Sequence, residues 1–126
     1  MNILFYSRKG GQGKTTHAIG YAHYSKSNFY TNDYGNSTIE IFNPLFNEEV
    51  DFKELNPGEN IKVKPKSSNV FDFGGFLDKR IISVAKYVDC CVIPIFYQSK
   101  TDLVPSSSEF VFYLKLAFFP LAFLLL

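Results

Sequence analysis

The chain has 126 residues, a formal net charge of +1 and two cysteines, and its aromatic content of 17% is Phe and Tyr. One domain of this size can bury a workable core. The near-neutral balance excludes a strong global field toward nucleic acid or an acidic partner, and the apolar content excludes a disordered chain. Cys90 and Cys91 are neighbours inside an apolar run, so they read as small buried residues of a reducing compartment and not as a disulfide. The opening apolar stretch is too short for a secretory leader and runs straight into glycines, so a cytoplasmic protein is expected.

In chain order, residues 2–6 (NILFY) form a short apolar run before glycines, the pattern of a buried parallel strand. A helix is expected from residue 14 to about 25, with Ala18, Ile19 and Ala22 on its apolar face. Residues 29–33 (FYTND) read as a second strand with a polar end, while 37–42 alternate too briefly to assign. Residues 43–60 are mixed and turn-rich, and Asn56-Pro57-Gly58 is a stop. Residues 61–65 (IKVKP) suggest a short edge strand, and Lys62, Lys64 and Lys66 a solvated face. Residues 69–75 read as a strand and a glycine turn, 76–88 carry helical spacing, and 90–96 form another continuous apolar strand. Strands separated by helices predict an α/β fold with a mostly parallel sheet flanked by helices.

The stretch YSRKGGQGKTTH, residues 6–17, follows the first strand and opens the first helix. A glycine-rich turn there lets successive backbone N–H groups face an anion, and the helix N-terminus adds partial positive charge. Gly10, Gly11 and Gly13 keep Cβ atoms out of the way of phosphates. Lys14 reaches the outer phosphates, and the Thr15 hydroxyl holds Mg²⁺. Where the general P-loop pattern asks for glycine at position 8, this chain has Arg8.

With its extra lysine, KGGQGKTT (residues 9–16) resembles the deviant P-loop of the ParA/MinD superfamily of ATPases. The resemblance implies a P-loop NTPase fold, ATP and Mg²⁺ as cofactors, and a nucleotide-sandwich homodimer. It makes Lys9 the lysine that reaches the partner subunit's phosphates, with Gly10, Gly11, Gly13, Lys14, Thr15 and Thr16 around the chain's own nucleotide. VFDFGG (residues 70–75) resembles the Walker B strand, with Asp72 approaching the metal alongside Thr15, and its glycines resemble switch II. Residues 88–103 resemble the family's proline-bearing strand, with Asp89 and Pro94 in register. Residues 30–38 (YTNDYGNST) fall where the family has switch I. Asp33 matches the aspartate that positions the attacking water, although Gly35 and Asn36 align with the family's Gly-Asn only if one residue is deleted.

The resemblance covers residues 1–104, the N-terminal part of such a domain. It implies an ATP-dependent dimerising switch that hydrolyses ATP in plasmid or chromosome partitioning, with a centromere-binding partner and DNA held without sequence preference. The alternatives are a MinD-like positioning ATPase and a truncated, inactive remnant. Residues 99–102 (SKTD) also resemble the guanine-reading motif of GTPases, with Ser in place of its Asn. His17 and His23 share no helix face with a carboxylate cluster, so no metal site is expected there. Residues 105–126 form an atypical apolar tail. It reads as out-of-frame sequence that leaves the fold incomplete at its C-terminus, as a buried helix and strand, or as a short membrane-inserting segment. No membrane partner is expected, because the run is short and Pro120 interrupts it.

Overall fold

The computed structural model describes residues 1–7, 13–64, 66–74, 78–94 and 122–125. Strands β1 (Asn2–Ser7), β2 (Asn28–Thr31), β3 (Phe52–Glu54), β4 (Asn69–Gly74), β5 (Cys90–Ile93) and β6 (Ala122–Leu125) form one sheet in the order β3-β2-β4-β1-β5-β6. Every pairing is parallel. Helix α1 (Lys14–Ser25) joins β1 to β2, and α3 (Lys79–Ala85) lies between β4 and β5. A short helix α2 (Thr38–Phe42) and a 3-10 turn (Asn43–Leu45) follow β2. The expected α/β class and parallel sheet are therefore present, with β4 beside β1.

The near-continuous apolar strands are explained by burial on both faces. On one face Ile3, Phe5, Phe29, Val70 and Val92 pack with Ala18, Ile19 and Ala22 of α1. On the other, Leu4, Tyr6, Phe71, Phe73, Cys91 and Ile93 pack with Ile81 and Val84 of α3. The period of two along each strand sorts residues between these cores.

Register is pinned at the amino ends of the central strands. Asn2 and Asn28 are both register partners of Asn69. The Asn28 carboxamide donates to Asn69 Oδ1 at 3.0 Å, and Asn69 donates in turn to Asn2 Oδ1 at 2.8 Å. Asp89 lies at the same end, where its carboxylate accepts the Asn2 N–H at 2.7 Å.

Three local expectations change. Residues 61–64 form no ladder, but Ile61 and Val63 pack against the α3-side core while Lys62 and Lys64 face outward. The edge strand is instead β3, drawn from the turn-rich stretch and paired with β2. Phe52 decides it, by packing on Phe29 and Phe46 with ring centroids 4.9 and 4.1 Å apart. Residues 38–42, too short to assign by pattern, are helical. In the tail, residues 122–125 pair parallel with β5 as β6. Among the described residues no helix is long and apolar enough to cross a membrane.

Candidate functional site

The strand order creates the crevice. β1 sends its connection through α1 toward β2, while its neighbour β4 sends its own through α3 toward β5. Adjacent strands whose connections diverge leave a cleft at their carboxyl ends, the usual ligand position in open parallel sheets. The sequence turns polar there on the α1 face. Phe5 is followed in the alternation by Ser7, Phe29 by Thr31, and Val70 by Asp72.

Asp72 is fully buried, with β1 on one side and β2 on the other, where Phe5 and Thr31 are its register partners. A carboxylate taken from water must be paired and hydrogen-bonded, and this one is. The ammonium of Lys14 pairs with Oδ1. The hydroxyls of Thr15 and Thr31 donate to Oδ2 at 2.9 and 3.1 Å. Lys14 Nζ also lies 3.5 Å from Thr15 Oγ1.

Gly13 brings α1 to this carboxylate. It caps the helix in the left-handed region at φ 71°, where a side chain is strained, and it has no side chain with which to cap the first-turn amides. Lys14 and Thr15 are then the first two residues of α1, pointing across the crevice to β4. Gly74 completes the fit from below: a Cβ there would lie 2.7 Å from Lys14 Cε and 3.3 Å from the Ser7 carbonyl oxygen. The lysine stem passes close over Gly74, and a side chain there would have to displace it.

The residues singled out in the sequence separate into three groups. Gly13, Lys14, Thr15 and Asp72 converge. Thr16 is in the first turn of α1 but exposed. Asp33 is half-buried in the loop after β2, its carboxylate accepting from Asn36 Nδ2. Lys9, Gly10 and Gly11 lie outside the described residues, as do Gly75 and the SKTD stretch.

Three further positions bonded to this cluster or its neighbours were not singled out in the sequence. Thr31 links the buried carboxylate to the candidate water-positioning loop, since its hydroxyl donates to Asp72 and accepts the Asp33 N–H at 3.1 Å. Strand alternation places Thr31 on the same face as Phe29, a signal readable once β4 is known to lie alongside. Asn32 contacts both Gly74 and Asp78. Asp78 caps α3 by accepting the Arg80 N–H at 2.8 Å, and Asp before an apolar-periodic run is a helix-start signal. Burial pushes the Asp78 carboxyl up, but hydrogen bonds from Arg80 and Asn32 outweigh it and hold the group down at about 2.

The donor set suits a hard cation, with a buried carboxylate and a hydroxyl 2.9 Å apart. Among the described residues no cluster of three or more His, Cys, Asp or Glu could form an all-protein cage. Thr15 and Asp72 could supply two oxygens to a cation that takes its other ligands from a bound molecule and water. No family model matches this chain, and no curated protein matches it.

Proposed function

We propose that the chain is a ParA-like P-loop ATPase, a nucleotide switch that dimerises with ATP and Mg²⁺ and is released by hydrolysis, acting in plasmid or chromosome partitioning. The observation that supports the reading is the convergence of Lys14, Thr15 and Asp72 behind the left-handed Gly13 turn, at the carboxyl ends of β1 and β4. This is the place and the residue set that phosphate and magnesium require.

In this reading Lys14 would turn from Asp72 to the phosphates, and Thr15 and Asp72 would hold Mg²⁺, which would supply positive charge against the phosphate oxygens. Lys9 acts on the partner subunit's nucleotide, where a cation delivered in trans stabilises charge developing during transfer. Asp33 positions the attacking water.

Calorimetric titration with ATP·Mg²⁺ tests the reading. Lys14→Ala, checked for folding by circular dichroism, is expected to weaken binding by about 2 kcal/mol, the scale of a charge-assisted hydrogen bond. Equal affinity in the two proteins would refute it.

A further inference from the structure

The Asn32 carboxamide makes two contacts that only an amide can make together. Its Oδ1 accepts the Gly74 N–H at 3.0 Å, and its Nδ2 donates to Asp78 Oδ2 at 3.0 Å. The orientation is fixed by the partners, because a backbone N–H can only donate and an ionised carboxylate can only accept. The Asn32 backbone N–H also donates to the Asp72 carbonyl at 3.2 Å, which extends the β2–β4 pairing by one step. The next residue is Asp33. On the far side, Asp78 holds Arg80 through its amide and guanidinium, and Arg80 Nη1 donates to the Asn56 carbonyl at 3.0 Å.

We propose that Asn32 is a positioning residue that couples the loop carrying Asp33 to the cap of α3, so that a change at the nucleotide site reaches α3 through one carboxamide. The coupling deepens the ATPase reading by giving the site an output, and it rests on that reading only for the identity of the ligand. The route is continuous: the Asp72 carboxylate, the Thr31 hydroxyl, the Asp33 amide, the Asn32 side chain, and Asp78 at the start of α3.

Amide hydrogen exchange in the full chain tests it, read at Tyr34 and Gly35. Their N–H groups donate to the Asn32 carbonyl at 2.9 Å and to Glu54 Oε1 at 3.0 Å. Asp78→Ala touches neither amide, yet it is expected to speed their exchange about tenfold, the scale of losing one hydrogen bond to a charged group. In an Asn32→Ala background the same change has no further effect. Asn32→Asp keeps the size but sets like charge against Asp78, and it loosens the loop in the same way. A mere loss of the helix cap would not reach residues 34 and 35. Unchanged exchange there in Asp78→Ala, or equal acceleration in both backgrounds, overturns the coupling. In a second arm, a non-hydrolysable ATP analogue with Mg²⁺ should protect the Arg80 amide in the wild type and not in Asn32→Ala. Protection in both overturns the coupling. A chain that binds no nucleotide overturns the ATPase reading instead, and the first arm then decides the coupling alone.

Discussion

The Lys14 ammonium and the Asp72 carboxylate form an ion pair that joins the first turn of α1 to β4 across the crevice. Asp72 is fully buried while the Lys14 side chain keeps 13% of its surface exposed, so the two partners do not respond alike to losing each other. Lys14 can swing toward water or toward an arriving anion, whereas Asp72 cannot leave. The pair is thus a partly exposed cation anchored on a buried carboxylate at the carboxyl end of β4.

The asymmetry predicts the outcome of a double-mutant cycle. Lys14→Ala leaves a buried carboxylate with two hydroxyl donors and no countercharge, and should lower stability by about 3 kcal/mol. Asp72→Asn frees a lysine that can reach solvent and should cost about 1 kcal/mol. The double variant should be more stable than Lys14→Ala alone, because no charge remains buried. Urea unfolding measures all three, and a double variant no more stable than Lys14→Ala would contradict the account.

Thr31 tests the link from the carboxylate to the loop. Thr31→Val keeps the shape but removes the hydroxyl that Asp72 and the Asp33 amide share. The expected loss is about 1–3 kcal/mol, since buried polar groups are left with one partner fewer. Thr31→Ser retains the hydroxyl and should stay within about 1 kcal/mol of the wild type. Thermal melts of the two variants should therefore separate, and coincident melts would show that the hydroxyl contributes nothing.

Asp78 gives the fold a pH dependence with a definite sign. Its carboxyl is lowered from 3.8 to about 2 in the folded protein, so the folded state binds the proton less tightly than the unfolded chain. The stabilisation is present in full above the unfolded value and is lost as pH falls from about 4 toward 2. Asp78→Asn retains a capping side chain but no charge. Wild-type stability should therefore fall toward that of the variant between pH 5 and about 2, by about 2 kcal/mol at most. Denaturant midpoints measured across that range check it, and parallel curves for the two proteins would rule it out.

These sites differ in how visible they are in the sequence. The glycine-lysine turn was legible because it is local: Gly13, Lys14 and Thr15 are consecutive, and their chemistry follows from a strand before and a helix after. Asp72 was legible through the resemblance of residues 70–75 to a Walker B strand. Thr31 and Asn32 were not, because their meaning depends on β4 inserting between β1 and β2, a pairing between residues far apart in the chain. The same reason hid β3, whose three residues are fixed by Phe52 stacking on Phe29 and Phe46 and not by any local alternation. Residues 61–64 misled in the opposite direction. They alternate like a strand, but only because Ile61 and Val63 cover the sheet while their lysines face water.

The two lysines of the opening turn can be told apart by what each variant leaves intact. In the proposed ATPase, Lys14 serves the chain's own phosphates, so its loss should act on binding itself. Lys9, by its resemblance to the lysine that crosses a nucleotide-sandwich dimer, acts only once two subunits meet. Lys9→Ala should thus bind ATP within about threefold of the wild type, a difference below 1 kcal/mol, yet fail to dimerise or hydrolyse. Asp33→Ala should do the reverse. The loop after β2 keeps its Thr31 and Asn32 anchors, so the dimer should form, but the attacking water loses its acceptor and hydrolysis slows by about a hundredfold or more. Light scattering with ATP separates the two, showing a monomer for Lys9→Ala and a persistent dimer for Asp33→Ala. Normal dimerisation and turnover in Lys9→Ala would refute the trans role of Lys9, and normal turnover in Asp33→Ala would move the water-positioning role to another residue.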